Sequence, residues 1–274
     1  VFTGLSGQGL SFRWSDQVEN FRHQPLEMFD DQHSQLEKTF LDTTIPENTG
    51  GTETITRALD TIAAHPNVAP FISRQLIQRF TSSSPSPEYV ERVANVFNTG
   101  RYRAPNGQEF GIGRPGDLQA VIAAILLDET VHDDVQDINE GKLREPVIKF
   151  IQYIKAFNVS DIDVWSEWRF GNTNDPNGSL SQHPFKSASV FNFYRPGYVA
   201  PGSETGEAGL SAPELQIVNE GSALGFVNFV SHFIMRRADN PENYVGFFPD
   251  FSAEIELADD VDALVDHLDI KLTA

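Results

Sequence analysis

The chain has no cysteine among its 274 residues. Disulfides, thiolate catalysis and cysteine-ligated zinc or iron–sulfur centres are therefore excluded. Two methionines stand against twenty-one phenylalanines, so the interior draws on stiff aromatic rings rather than pliable thioethers. Basic residues are scarce: 20 Lys and Arg face 39 Asp and Glu, a net charge of −19. That balance sets nucleic acid and anionic membrane surfaces aside as partners, since both would be repelled. It fits a strongly hydrated protein, and the plain reading of the excess is a solvated acidic face rather than a dedicated cation site. No apolar run reaches the roughly eighteen residues that a membrane-spanning helix needs. No secretory signal pattern is present, and the chain carries no GxSxG elbow, P-loop or HExxH zinc motif. Apolar patterns at both ends, Val1-Phe2-Thr3-Gly4 and Ile270-Lys271-Leu272-Thr273-Ala274, are those expected of a fragment of a larger protein.

What is present reads as mainly α: one helical domain over 1–274, with long aromatic, Gly/Pro-rich loops wrapped on a helical core. Residues 1–50 are irregular, with short extended segments expected at 10–14 and 27–29. The core is expected over 52–157, the aromatic loop region over 158–213 and further helices over 214–274. The centre is His65-Pro66 and the helix after it. Val68, Phe71, Ile72, Leu76 and Phe80 recur at three- and four-residue spacing and so share one face, with Pro66 suited to the first turn. Ser86-Pro87-Glu88 opens the next helix as cap, proline and acid, with Tyr89, Val90, Val93, Ala94 and Phe97 inside. A loop is expected over 98–116. Asp117 then caps a helix that turns Leu118, Val121, Ile122, Ile125 and Leu126 inward. A helix over 143–157 is expected to bury Val147, Ile148, Ile151 and Ile154. Trp165, Trp168, Phe170, Phe185, Phe191, Phe193, Tyr194 and Tyr198 then fall among Asn, Gly, Pro and Ser. A loop this aromatic must pack on something.

Few motifs carry chemistry. Gly111-Ile112-Gly113-Arg114-Pro115-Gly116 matches GxGxxG, but no buried strand precedes it, and Pro115 sits inside it. A glycine-rich loop running into the Asp117 cap explains it, and no nucleotide cofactor is expected. Asp175-Pro176-Asn177-Gly178 has part of a calcium-loop pattern without a closing glutamate. A calcium ion on Asp175 and Asn177 competes there with an Asx turn; Asp161 and Asp163 are a weaker pair. His23 and His33 flank Asp30 and Asp31, so Asp30 and His33 offer imidazole and carboxylate to a metal. His33 with Lys38 could instead hold an anion. His65 before Pro66 suits a backbone bond at the helix entrance. Cations in Lys142-Leu143-Arg144-Glu145-Pro146 oppose the dipole of the helix they open, so Lys142 or Arg144 is expected to have an acidic partner.

Several blocks occur together in a fixed order. They are His65-Pro66 with Phe71-Ile72 and Arg79-Phe80; Gly116-Asp117-Leu118 leading to Ile125-Leu126-Leu127-Asp128; and Lys142-Leu143-Arg144-Glu145-Pro146. Ser189-Val190-Phe191-Asn192-Phe193-Tyr194-Arg195-Pro196-Gly197-Tyr198 and Gly209-Leu210-Ser211-Ala212-Pro213-Glu214 complete the set. Nearly the whole chain thereby resembles the bacterial family described as domain of unknown function 1800, with that family's N-terminal portion missing. The resemblance implies export to the periplasm, cell surface or medium, and a sulfatase-like neighbouring-gene protein as partner. It transfers no activity. His33 and Lys38 match a family pattern of His-Asp followed by Lys-Thr and a glycine. Here Ser34 replaces the Asp, and Asp42 stands near the glycine's place, which implies loss of any chemistry the pattern carries. Leu5 likewise stands where the family tends to have Trp.

Two functional expectations result. One is an exported, non-catalytic interaction or assembly module, suggested by the aromatic segment 185–213. The other is a hydrolase-like enzyme whose polar site gathers around His33, Lys38 and His65, with Arg74 and Arg79. Convergence of these groups in one pocket favours the enzyme, and their pairing with acids or separation favours the module.

Overall fold

A computed structural model describes residues 4–6, 25–132, 141–159, 172–239 and 249–273, with Ser6, 232–239 and Thr273 described by backbone alone. The segment 10–14, His23, Asp161, Asp163, Trp165, Trp168 and Phe170 lie outside the described residues, as does the side chain of His232. Among the described residues the fold is mainly α, with three small two-stranded sheets. The chain groups into two compact units, Val1–Ile72 and Ser73–Ala274.

In the first unit, β1 (Leu5–Ser6) pairs antiparallel with β2 (Glu27–Met28). A hairpin follows, β3 (Lys38–Phe40) with β4 (Thr43–Ile45). Its two turn residues, Leu41 and Asp42, both have positive φ, 45° and 60°. That is the twist a two-residue hairpin requires, met here without glycine. Helix α1 (Gly51–Ala63) has Gly50 at its N-cap, which brings no capping side chain. Asp30 supplies one from a distance: its Oδ1 accepts the Gly51 N–H at 3.2 Å. A Cβ on Gly51 would lie 2.3 Å from the Met28 sulfur, so glycine there leaves room for the Met28 side chain.

Helix α2 (Val68–Phe80) carries the boundary between the units. Pro66 lies in the turn before it, not in its first turn. The buried stripe is also not the one expected. Ala69, Ser73, Ile77 and Gln78 are buried, whereas Phe71 and Phe80 are exposed. Spacing of bulky apolar residues misplaced the face because three of the four buried positions hold Ala69, Ser73 and Gln78, which carry little hydropathy signal.

In the second unit, α3 (Pro87–Thr99) begins as the sequence predicts. Ser86 Oγ accepts the Tyr89 N–H at 3.2 Å, and Pro87 opens the helix. Gly100 ends it in the left-handed conformation. The stretch read as a loop contains a hairpin, β5 (Tyr102–Arg103) with β6 (Glu109–Phe110), turning at Asn106-Gly107. The glycines after it serve packing: a Cβ on Gly111 would meet the Gly100 carbonyl at 2.4 Å. Asp117 caps α4 (Leu118–Leu126), accepting from the Gln119 and Ala120 N–H groups, and also takes the Ile112 N–H. Those bonds hold its carboxyl below the usual range. On α4, Val121 and Ile125 are fully buried while Leu118 and Leu126 are exposed. Ile77, Tyr89, Val93, Val121 and Ile125 form one core across α2, α3 and α4.

Short α5 (Glu129–His132) follows, and α6 (Pro146–Ala156) builds a second core. Phe150, Tyr153, Phe157 and Leu180 are its buried residues, with Val147 and Ile154 partly buried against them; Ile148 and Ile151 are exposed. Of the four residues expected inside, Val147 and Ile154 pack against this core and Ile148 and Ile151 do not, because the aromatics three residues apart take the centre of the inner face. Phe150 meets Phe229 edge-on with ring centroids 4.9 Å apart, and Phe157 meets Phe251 at 5.1 Å. Such pairs contribute about 0.5–1.5 kcal/mol each beyond area burial, which explains the phenylalanine-rich composition. Phe229 belongs to α8 (Glu220–Asp239), and Leu268 and Leu272 reach this core from α10 (Val261–Thr273). Two short helices, α7 (Glu204–Glu207) and α9 (Ser252–Glu256), complete the set. Among the described residues no helix is long and apolar enough to cross a membrane.

Candidate functional site

The residues singled out in the sequence are mostly engaged within their own surroundings. In the first unit, His33 is buried with its Nε2 3.1 Å from Thr54 Oγ1. Lys38 Nζ donates to the carbonyls of Ser34 at 2.7 Å and Leu36 at 2.9 Å. His65 is exposed, and its Nδ1 accepts the Asn67 N–H at 3.2 Å, the backbone role expected of it at the helix entrance. Asp30 caps α1. In the second unit, among the described residues, Arg74 makes a long 3.5 Å contact with Ser211 Oγ. Asp175 Oδ1 accepts the Asn177 N–H at 3.0 Å, an Asx turn. Among the described residues no three His, Asp or Glu side chains stand close enough to share a metal ion.

Arg79 leads to a different centre. Its Nη1 pairs with Oε1 of Glu145, a carboxylate only 4% exposed at the N-cap of α6. The other oxygen of Glu145 accepts from Tyr194 Oη at 3.0 Å and from Gln182 Nε2 at 2.6 Å. Gln182 also accepts the Val147 N–H at 3.1 Å, closing the network onto α6. The Arg79 guanidinium stands 5.5 Å from the centroid of the Tyr194 ring. Burial, reinforced by the Glu145 charge, pushes the Tyr194 hydroxyl well above its ordinary range. Burial works against the charge on Arg79, yet Tyr194 and Glu145 hold its pKa above the ordinary value.

A second buried carboxylate lies in the same electrostatic field. Glu214, 1% exposed, pairs through Oε1 with Lys142 Nζ. This is the acidic partner that the charged segment before α6 calls for. Arg144 bonds Gln152 Oε1. Ser83, in the serine run that ends α2, ties the parts together. Its N–H donates to the Gly141 carbonyl at 2.9 Å, its Oγ accepts the Leu143 N–H at 2.9 Å, and its carbonyl accepts from Ser211 Oγ at 3.1 Å.

Above this network is a shallow recess of about 310 Å³, counting the part open to solvent. Gln75, Gln78 and Arg79 line it from α2, and Phe191, Tyr194, Pro196 and Pro213 from the loops. Nearby, Phe185 is fully exposed and Val190 is 97% exposed, so the aromatic loop packs at Tyr194 but not at Phe185. The Arg79 guanidinium gives up no proton near neutrality, and Glu145 spends both of its oxygens on protein donors. The network can therefore fix the loops around α6 more readily than it can move protons.

Sequence reasoning missed Glu145, Tyr194, Gln182 and Glu214 as a unit, and placed Arg79 with the wrong companions. One signal was available. Glu145 stands directly before Pro146 at a helix start, where an acid serves the dipole, and it belongs to a block with too many charges to be a plain loop. The partners lie 37 to 66 residues away in sequence, beyond the reach of local spacing.

No match was found among curated proteins or solved structures. Arg79, Lys142, Glu145, Tyr194, Ser211 and Glu214 come from four of the ordered blocks noted in the sequence, and their meeting in one network gives those blocks a structural reason to occur together. A family model described as protein of unknown function (DUF1800) matches residues 1–273, and the chain belongs to that family.

Proposed function

We propose that the protein is a non-catalytic interaction module that works outside the cytoplasm and docks a protein partner through the loop bearing Phe185 and Val190. One observation carries this reading. Phe185 and Val190 stand fully or almost fully in solvent, with half-exposed Phe191 beside them, on a loop anchored at Tyr194 by the Glu145 bond. Leaving such side chains exposed forgoes about 1.5–3 kcal/mol each relative to burial. Three of them on one short anchored loop suit a protein contact better than scattered surface residues do. Export and the choice of partner rest on the family resemblance, which points to a sulfatase-like protein.

The hydrolase alternative needs His33, Lys38, His65, Arg74 and Arg79 to be available for chemistry. Against it stand the Thr54 bond of His33, the carbonyl bonds of Lys38, the backbone bond of His65 and the Glu145 pair of Arg79. The test is gel filtration of the purified chain with the purified sulfatase-like protein encoded beside it. A complex at about 10 µM each that is lost in the Phe185→Ser, Val190→Ser double variant is expected. No complex, or one indifferent to both substitutions, overturns the docking reading.

A further inference from the structure

Acids are kept away from the loop that carries Phe185 and Val190. Residues 176–203 contain no Asp or Glu, in a chain with 39 of them among 274 residues. Residues 73–87, which include the end of α2, contain none either. The two acid-free stretches meet: Gln78 Nε2 donates to the Pro196 carbonyl at 2.8 Å, and Arg79 stands over the Tyr194 ring. The carboxylates packed with them, Glu145 and Glu214, are buried, and each holds a cation, Arg79 and Lys142. Toward solvent, 184–191 is exposed at every position and carries Lys186; exposed Arg195 follows. Neither cation holds a carboxylate among the described residues. Phe185 is also set on a turn that works against it. The Lys186 N–H closes a β-turn onto the His183 carbonyl at 3.1 Å, with Pro184 at the second position. Phe185, at the third, has φ 61°. A type II turn favours glycine there, because a Cβ strains that conformation. The chain thus carries strain and full exposure at one aromatic side chain, beside a free ammonium, and recovers neither within itself.

We propose that this loop fits an apolar pocket rimmed by acidic residues on a protein partner, with Phe185 as the anchor and Lys186 and Arg195 facing the rim. The proposal deepens the docking reading and rests on it. An aromatic anchor needs an apolar pocket to fill, and unpaired cations on an acid-free surface need carboxylates across from them. A basic partner would be drawn instead to the acids elsewhere on a chain of net charge −19. An anionic bilayer is acidic and apolar too, but it is a plane that confronts the acids around the loop as well. A pocket engages only the charges within about a Debye length, roughly 8 Å at physiological salt.

The test is calorimetric titration of the full chain with the sulfatase-like protein proposed as its partner, at about 50 and about 300 mM salt. The parent chain is expected to bind several-fold more weakly at the higher salt. At the lower salt, Lys186→Glu and Arg195→Glu are each expected to weaken binding about tenfold, and Lys186→Arg to keep it. Arg57→Glu, on the exposed side of α1, makes the same change of net charge and is expected to leave affinity as it is. Phe185→Gly is expected to abolish the complex while the thermal midpoint holds or rises, since glycine relieves the turn. A complex lost with Phe185→Ser and Val190→Ser, yet indifferent to salt and to both charge reversals, leaves the docking reading standing and overturns this one. Equal weakening by Arg57→Glu, loop-dependent binding to phosphatidylserine vesicles, or no complex at all also overturns it.

Discussion

Tyr194 and Glu145, 49 residues apart in sequence, meet through a 3.0 Å hydrogen bond between a buried phenol and a buried carboxylate. The same carboxylate holds Arg79 and Gln182. One acidic side chain at the start of α6 therefore fastens the end of α2 and two points on the long loop. Arg79 is partly solvated and keeps most of its hydration without Glu145, so the cost of removing the carboxylate is set by the Tyr194 and Gln182 donors it leaves unpaired, about 1–3 kcal/mol. Glu145→Ala is expected to lose stability on that scale in urea unfolding, and Glu145→Gln less, because the amide oxygen still accepts a bond. Equal midpoints for Glu145→Ala and the parent chain would contradict the assignment.

Alkaline pH should loosen the same region. Burial raises Tyr194, with Glu145 adding to it, and burial raises Tyr89 to about 12. A group whose folded pKa lies above its unfolded value gives stability that is present below the unfolded value, about 10 for tyrosine. That stability is lost as pH rises through the folded value. Tyrosinate absorbance across pH 9–13, roughly the range around that reference value, is expected to show a late component. Tyr89→Phe should remove the part near 12.

The acid limb has its own reporter. Asp128 is buried, which by itself raises its pKa, but the bidentate bond from Arg92 at 2.9 and 2.7 Å and the bonds from Thr130 bring it below the ordinary value. A depressed carboxylate stabilises the fold above its unfolded pKa of about 3.9 and ceases to as pH falls through the folded value. Asp128→Asn is expected to cost about 1–3 kcal/mol at neutral pH and to flatten the decline below pH 4 or so. A parallel decline in both proteins would contradict the role.

The β3–β4 turn explains a departure from the family pattern. Asp42, near the place where the resemblance puts a glycine, has φ 60° beside Leu41 at 45°. Glycine adopts that conformation without strain, so the family glycine fits a turn requirement and need not signal chemistry. Leu41→Asn with Asp42→Gly is expected to raise stability by about 0.5–1 kcal/mol. A lower thermal midpoint in the double variant would contradict it.

Local chemistry was legible and long-range pairing was not. The Ser86 and Asp117 caps, the helix after Pro87, the backbone role of His65 and the acidic partner of Lys142 can all be read from a few neighbouring residues. The inner faces of α2 and α6 were misread because hydropathy favours bulky aliphatics, while Ala69, Ser73, Phe150 and Tyr153 take the inner positions. The β5–β6 hairpin was missed because two-residue strands have no measurable period. Glu145 was missed because its partners are brought together only by the packing of the second unit. The order of the family blocks hinted at that meeting, and spacing alone could not reveal it.

The most direct measurement is hydrogen exchange along the backbone of 183–192, with and without the sulfatase-like protein proposed as its partner. The docking reading predicts slower exchange in that segment on complex formation, with the amides of α3 and α4 unchanged. A complex that protects other segments and leaves 183–192 exchanging as before would contradict it.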